Sequence, residues 1–453
     1  MTKIKKSFFC RYKISAFYRM LFTFISITFI VTVTHSNTAV AQTLTLADAI
    51  KIAVSNNFNV QLFKNNQLIN ANNNTVGNAG MLPSLNLSAG QTFNVTNTVQ
   101  KPFKAPEVTV NNAHSNILLA AATVNWTVFD GMQMFATRQQ LDVIEKSGNV
   151  QLQLLTEQTI ADVIRVYSNI VLQQRFIDAL YETIKISIDR KTIAGKKKTI
   201  GTGSTLSYNQ SIVDLNNDSL NLLKQQISVF NTKVELNTIL ARAAATNFEV
   251  ENRIDLINSF NYDSLGSAIQ EQNPRLRLAR YNEIIAQQQL RSQQAQRYPQ
   301  LNLFGGFNFV KSEAETGFLQ KNKSIGPNYG ATLTYNLFNG FNVNRQVKNA
   351  HIEVQNSEIS TSQTTTTVNN EFVQAANEHK ADLQILILEQ SNSAIAKTNA
   401  DIALQQFKIG SITDVDFRET QVKAINAESA LLITIFQTKV LETQLLRLSG
   451  NLK

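Results

Sequence analysis

The chain has 453 residues, with 42 basic and 33 acidic side chains, 17% charged residues and a single cysteine, Cys10. Six of the basic residues and no acidic ones fall within the first 41 positions, so the remainder carries 36 basic against 33 acidic groups, close to neutral. That balance gives no basis for nucleic-acid binding, and a chain whose only thiol lies at position 10 offers no disulfide framework, thiolate metal site or thiol nucleophile beyond it.

Residues 1–41 read as a secretory signal peptide. Lys3, Lys5, Lys6, Arg11, Lys13 and Arg19 precede an apolar stretch from Met20 to Val33, and Ala39-Val40-Ala41 is a small-residue cleavage site. Beyond it no apolar run approaches the ~20 residues that a membrane-crossing helix needs. Any passage through a membrane must therefore use strands.

Two copies of one pattern follow. Leu82-Pro83-Ser84-Leu85-Asn86-Leu87 returns as Tyr298-Pro299-Gln300-Leu301-Asn302-Leu303, and Trp126-Thr127-Val128-Phe129-Asp130-Gly131 returns as Tyr335-Asn336-Leu337-Phe338-Asn339-Gly340. Ile200-Gly201 likewise meets Ile409-Gly410. Ordered matches of this kind mark an internal duplication, with a first repeat over residues 42–245, a connecting segment over 246–263 and a second repeat over 264–453.

Each repeat opens with a helical stretch, Leu46 to about Gly80 and Leu265 to about Gln296, and continues into alternating strands. In the first repeat Leu85, Leu87, Ala89 and Phe93 share one face, as do Val124, Trp126 and Val128. In the second, Leu301, Leu303, Phe307 and Phe309 are followed by Leu333, Tyr335 and Leu337. The opposite faces carry Asn, Ser, Thr and Gly. Four strands of about ten residues suit a tilted crossing of a bilayer with the named apolar side chains toward lipid. Polar loops are expected around Val99 to Ser115 and Lys311 to Asn328. Four strands cannot close a barrel, and unpaired backbone in lipid costs several kcal/mol per group, so closure requires further copies. Two copies would give eight strands; three would give twelve and leave a channel, the arrangement favoured here.

After each strand pair comes a long helix uninterrupted by proline. Val163, Ile170, Ile177 and Ile184 step by seven, as do Leu206, Val213, Leu220, Ile227 and Val234, and then Leu388, Ile395, Ile402 and Ile409. Strict heptads predict left-handed coiled coils. Around the Gly201-Thr202-Gly203-Ser204 break they make an antiparallel hairpin with a full-length descending arm and a returning arm of about half that length. Two half-length helices stacked end to end would face each long one.

In the order Leu44 to Ile50, Asn57 and Asn273-Pro274, the Pro-x-Leu strand starts, the Phe-Asp/Asn-Gly strand exits and the two glycine tips, the chain resembles the TolC-like outer membrane factor family. The resemblance implies a mainly α fold with membrane β: a homotrimer whose long antiparallel coiled-coil helices form an α-barrel through the periplasm, joined to a 12-stranded β-barrel in outer-membrane lipid of a Gram-negative bacterium. It also implies a passive outer-membrane channel of a tripartite efflux or type I secretion system, partnered by a periplasmic adaptor (membrane fusion protein) and an inner-membrane RND or ABC transporter. The pore constriction at the periplasmic tip would comprise Thr202, Gly203, Ser204, Thr205, Ser411, Ile412, Thr413, Asp414 and Asp416, with Gly201, Leu206, Gly410 and Val415 contacting the adaptor. Asp414 would form an acidic ring across three copies, or serve as a helix N-cap. The first tip has Thr205 where the family often has Asp, which speaks against a latch built on a carboxylate of the first repeat. Trp126 and Tyr335 suit an interfacial aromatic belt.

His114, His351 and His379 share no metal-ligand spacing, and neither a nucleophile motif nor a phosphate loop is present. No cofactor, metal or enzymatic activity is expected. The alternative reading is a periplasmic coiled-coil adaptor or scaffold, which would use its hairpins for docking alone.

Overall fold

A computed structural model describes residues 43–257 and 259–452; the expected signal peptide lies outside the described residues. The elements in chain order are β1 (Thr43–Leu44), α1 (Leu46–Asn56), α2 (Phe58–Asn73), β2 (Ser84–Gln100), β3 (Val108–Phe129), α3 (Gln133–Thr199), α4 (Thr205–Ile239), β4 (Glu249–Val250), α5 (Tyr262–Gln272), α6 (Pro274–Ala295), β5 (Gln300–Ala314), β6 (Lys321–Thr334), α7 (Asn342–Ile409) and α8 (Asp414–Leu448). The 67-residue α3 and 68-residue α7 run the length of the helical part, about 100 Å at 1.5 Å per residue. No helix among the described residues is long and apolar enough to cross a membrane.

The half-length helices are present but not continuous. In the first repeat the chain breaks at Asn57, and in the second at Asn273. Each asparagine closes one helix and caps the next. The Oδ1 of Asn57 accepts from the backbone of Asn59 and Val60, and its Nδ2 donates to the carbonyl of Ile239 at the end of α4. Asn273 repeats the device, accepting from Arg275 and Leu276 and donating 2.8 Å to the carbonyl of Leu448 at the end of α8. A half-length helix thus abuts the end of a returning arm, with an asparagine amide pinning the junction.

The helices form one layer. Toward the hairpin tips the neighbours run α4, α3, α8, α7; toward the sheet they run α2, α3, α6, α7. One edge of the layer is therefore α2 and α4, and the other is α7 throughout. The heptads divide accordingly. Val163 and Ile170 of α3 are buried, together with Val166 and Tyr167, in the main core. Leu206, Val213, Leu220 and Ile227 of α4, and Leu388, Ile395, Ile402 and Ile409 of α7, are exposed within the chain. The expected coiled-coil stripes on α4 and α7 do not form the seams inside each hairpin. On α4 that seam is filled by Ser211, Asp214, Asp218, Val229, Thr232 and Leu236, a mostly polar set, so the apolar stripe points away from the partner helix.

Residues 246–257 and 259–263 lie across the middle of this layer. β4 pairs in parallel with β1, and the Tyr167 hydroxyl donates to the Leu44 carbonyl while accepting from the Glu251 amide. Further on, Tyr262 meets His379 of α7, and the Ile257 amide donates to Glu442 of α8.

The four long strands form one antiparallel sheet in the order β2-β3-β5-β6. They have 17, 22, 15 and 14 residues, longer than the expected ten, because pairing continues through most of what reads as polar loop. Asn and Thr runs satisfy a ladder as long as the register holds. It slips where Asn97 of β2 opposes the extra residues 111 and 112 of β3, with Asn112 at φ 55° and its amide bound to the Asn97 side chain. A second shift falls between Thr127 and Phe129, so Val128 lies in a bulge. β6 ends at Thr334, which places Tyr335 and Leu337 beyond the strand rather than on it, contrary to the alternation pattern.

The register aligns the apolar residues across all four strands. Leu87, Ala122, Phe307 and Pro327 form one row, and Ala89, Ala120, Phe309 and Ile325 the next. The other face holds side-chain pairs such as Thr127 with Asn302 and Asn308 with Asn328. Both strand exits place two successive residues at positive φ, Gly131-Met132 and Gly340-Phe341, before the long helices begin. After the first exit Asp130 accepts from the Met134 amide, compensating for a Met132 N-cap that has no side-chain bond.

Candidate functional site

The hairpin tips are built by identical backbone bonding. At the first, the Thr202 amide donates to the Lys197 carbonyl and the Gly201 amide to that of Lys198; at the second, Ser411 donates to Gln406 and Gly410 to Phe407. This is the Schellman pattern, which needs a left-handed residue, and Gly201 and Gly410 adopt φ of 79° and 84°. Gly203 is constrained differently: a Cβ there would lie 2.8 Å from the Lys197 Cβ. Ser204 caps α4 by accepting from Ser207, and Thr413 caps α8 in a reciprocal capping box with Asp416. The N-cap is thus Thr413, not Asp414; Asp414 is the first residue of α8.

Thr202, Ser204, Thr205, Leu206, Ser411, Thr413, Val415 and Asp416 are exposed, while Gly203, Ile412 and Asp414 are half-buried. The two tips are packed together. Phe407 and Phe417 stack with ring centroids 5.1 Å apart, Ile186 and Ile193 of α3 close over them, and the Lys197 ammonium lies 5.0 Å above the Phe407 ring.

Behind the tips lies a buried ionic chain. Arg190, 1% exposed, directs Nε and Nη2 to the two carboxylate oxygens of Asp414, both at 2.6 Å, and Nη1 to Asp214 at 2.6 Å. Arg418 then grips Asp218 through two bonds of 2.7 and 2.9 Å, and the Ser187 hydroxyl donates to the same carboxylate. Asp414, Arg190, Asp214, Arg418 and Asp218 alternate in charge across α8, α3 and α4. Burial works against the Arg190 charge, but the hydrogen bonds and fields of Asp414 and Asp214 outweigh it and hold its pKa above the ordinary arginine value. Bidentate geometry of this kind is the strong form of the arginine–carboxylate pair.

This arrangement alters two sequence expectations. Asp414 is not an open carboxylate, since its side chain is 13% exposed and neutralised by Arg190. The first repeat does supply carboxylates to an inter-hairpin tie, although from Asp214 and Asp218 on α4 rather than from the position of Thr205. Arg190, Asp214, Asp218 and Arg418 escape notice in the sequence. The available signal is that Asp214 and Asp218 stand four apart on the face of α4 opposite the Val213 and Leu220 stripe, where an uncompensated acidic pair would not be buried.

On the sheet, Leu85, Leu87, Phe93, Val124, Trp126, Leu303, Phe307 and Leu333 are exposed, and Leu301 and Phe309 are half-buried. The Trp126 indole donates 3.0 Å to the Met81 carbonyl at the helix end of the sheet.

A single layer of very long helices continued by four long antiparallel strands is an architecture shared with solved outer-membrane channels. The outer-membrane channel CmeC of Campylobacter jejuni superposes with a TM-score of 0.77 over 90% of this chain and 85% of its own, at 16% identity. The outer-membrane channel OprN gives a TM-score of 0.76 over 90% of each chain at 13% identity. The outer membrane protein VceC of Vibrio cholerae gives 0.74 over 89% of this chain and 96% of its own, at 15% identity. Residues 265–451 match the family described as outer membrane efflux protein, and the resemblance drawn from the sequence motifs is borne out. A search of curated proteins returned no match.

Proposed function

We propose that the protein is the outer-membrane channel subunit of a tripartite efflux or type I secretion system, three copies forming a 12-stranded barrel and a helical duct. The observation that carries this reading is the pair of open edges. In the sheet, β2 and β6 each leave one backbone edge unpaired. In the helical layer, α4 and α7 each present an exposed apolar heptad stripe. β2 follows α2 on one side of the molecule, and β6 leads into α7 on the other, so sheet and helices offer matching edges in the same sense. Edges that differ from one another join head to tail, and such contacts make a ring when the rotation from copy to copy closes on itself. In lipid the unpaired strand edges cost several kcal/mol per group, which ring closure removes.

In this reading the apolar sheet face meets outer-membrane lipid and the helices extend into the periplasm. The tips from Gly201 to Leu206 and Gly410 to Asp416 form the inner constriction and the docking site for a periplasmic adaptor, which links to an inner-membrane RND or ABC transporter. The Arg190–Asp414–Asp214 tie holds the two hairpins of one subunit together, and opening separates them.

Leu220 and Ile395 stand at matching heights, 16 residues after Ser204 and 15 before Gly410. A Leu220→Cys, Ile395→Cys variant is therefore expected to form intermolecular disulfides, giving dimer and trimer bands on non-reducing gels and a heat-modifiable oligomer from the membrane fraction. A monodisperse monomer, soluble without detergent and without cross-links, would overturn the reading.

A further inference from the structure

The apolar outward face of the sheet ends in a single step on the β5–β6 hairpin. The row containing Phe309 and Ile325 is followed directly by Lys311 opposite Lys323, and then by Glu313 opposite Lys321. The β2–β3 hairpin shows no such change: its corresponding rows are Gln91 with Leu118 and Phe93 with Asn116. The charge is therefore a property of this one hairpin and not of strand rims in general.

Two ammonium groups directly opposed on one sheet face repel each other. Glu313 relieves part of this, with its Oε1 3.1 Å from the Lys311 ammonium and 3.6 Å from that of Lys321. The nearby Glu315 is engaged elsewhere, accepting from the His114 amide. The Lys323 ammonium lies 5.7 Å from the Phe309 ring centroid and has no carboxylate within 4.0 Å among the described residues. Three lysines against one glutamate leave a concentrated positive site whose internal repulsion an anion between Lys311 and Lys323 would remove.

The height of the cluster identifies the anion. Ten residue steps from Leu301 to Lys311 cover about 33 Å along a strand, or about 25 Å vertically at a barrel tilt near 40°, which matches the apolar band of outer-membrane barrels. The lysines then stand level with the headgroups, at the end of the sheet remote from the helices, and the apolar surface of Phe307, Phe309 and Ile325 lies directly beneath them. An ammonium pair above an aromatic and aliphatic strip fits an amphiphile with a phosphate at the top and acyl chains below. We propose that Lys311, Lys323 and Lys321 form a binding site for the phosphate of an acylated, phosphorylated lipid of the outer leaflet, one site per subunit. This rests on the membrane placement given under Proposed function.

The test uses the purified full-length oligomer in detergent, with lipid retention read by native mass spectrometry and thermal shift. The probes are bis-phosphorylated lipid A, its dephosphorylated form, phosphatidylethanolamine and inorganic phosphate. Lipid A is expected to be retained and to raise the melting temperature, with at least tenfold weaker binding of the dephosphorylated form and no protection by inorganic phosphate. Lys311→Gln combined with Lys323→Gln should lose at least tenfold in lipid A binding, whereas Lys101→Gln with Lys104→Gln on the neighbouring loop should bind as the unaltered protein does. Equal lipid A retention by the first double variant, or equal binding of the dephosphorylated lipid, overturns the site. Full competition by inorganic phosphate overturns its assignment to a lipid. A chain that remains monomeric and soluble without detergent overturns the membrane reading as well, so the two failures are distinguishable.

Discussion

Arg190 and Asp414 are 224 residues apart in the chain, yet they meet through two parallel hydrogen bonds of 2.6 Å behind the hairpin tips. One residue comes from each repeat, so the pair is a direct tie between the duplicated halves. Asp214 binds the third side of the same guanidinium, so one arginine holds two carboxylates.

Asp414→Asn is expected to lower stability by less than the ~3–5 kcal/mol typical of a fully broken buried pair, because Asp214 still balances Arg190. Arg190→Ala should cost more, since it leaves Asp414 and Asp214 facing each other without the cation between them. In planar bilayers the Asp414→Asn oligomer should show larger or more frequent openings with little change in cation preference, because the Asp414 charge is already neutralised. A loss of cation preference at unchanged conductance would show instead that Asp414 faces the pore as an open ring.

The architecture was legible in the sequence because it rests on periodicity and repetition. Strand alternation, heptads and the 209-residue offset between Gly131 and Gly340 survive substitution of individual residues. The tie at the tips was not legible, because Arg190, Asp214, Asp218 and Arg418 come from three helices and form no local pattern. The heptads were visible, but their orientation was not. A stripe of Leu206, Val213, Leu220 and Ile227 states that something covers it, not whether the cover is the partner helix or another subunit. Strand ends were misplaced for a related reason: polar residues such as Thr96, Asn116 and Asn322 fit a long ladder as readily as a loop, and register alone decides.

The asparagine junctions give a prediction on stability. Asn273 is 2% exposed; its side chain makes two capping bonds and one bond to the Leu448 carbonyl. Loss of an N-cap costs about 0.5–2 kcal/mol, and an orphaned buried carbonyl adds about 1–3. Asn273→Ala should therefore destabilise by roughly 2–4 kcal/mol, seen as a lower denaturant midpoint. Asn273→Asp should restore the caps but not the donor to Leu448, and should fall between the two. The same ordering is expected at Asn57, with smaller effects because that junction is less buried.

Glu157 supplies a pH-dependent test. It is 4% exposed on α3, and only its Oε1 is bonded, accepting from Gln153 at 2.8 Å. Burial raises its pKa above the ordinary 4.5, partly opposed by the Gln153 bond and by Arg447 and Arg277. A carboxyl with a raised folded-state pKa favours the folded state while protonated, and this advantage is lost as pH climbs through that value. Glu157→Gln keeps the shape and removes the ionisation. The variant should melt higher than the unaltered protein near pH 7, and the difference should vanish below pH 4.5. A constant difference at all pH values would assign the effect to packing rather than to charge.

The two strand exits test whether duplicated motifs carry equal constraint. Gly131 and Gly340 both hold positive φ, 70° and 65°, so alanine at either position incurs the left-handed penalty of about 1–2 kcal/mol. Their surroundings differ. A Cβ at Gly131 would lie 2.3 Å from the Ala295 carbonyl oxygen and 2.9 Å from the Tyr298 Cβ, where α6 ends beside the start of α3. At Gly340 the nearest atom is the Asn342 side-chain nitrogen at 3.9 Å. Backbone at 2.3 Å cannot yield as a flexible side chain can, so Gly131→Ala must displace the end of α6 from α3. Gly340→Ala should assemble at a modestly lowered melting temperature. Gly131→Ala should fail to yield heat-modifiable oligomer, with the chain recovered as protease-sensitive monomer. Equal behaviour of the two variants would mean that ring closure, and not the packing of α6 on α3, fixes the geometry of the strand exits.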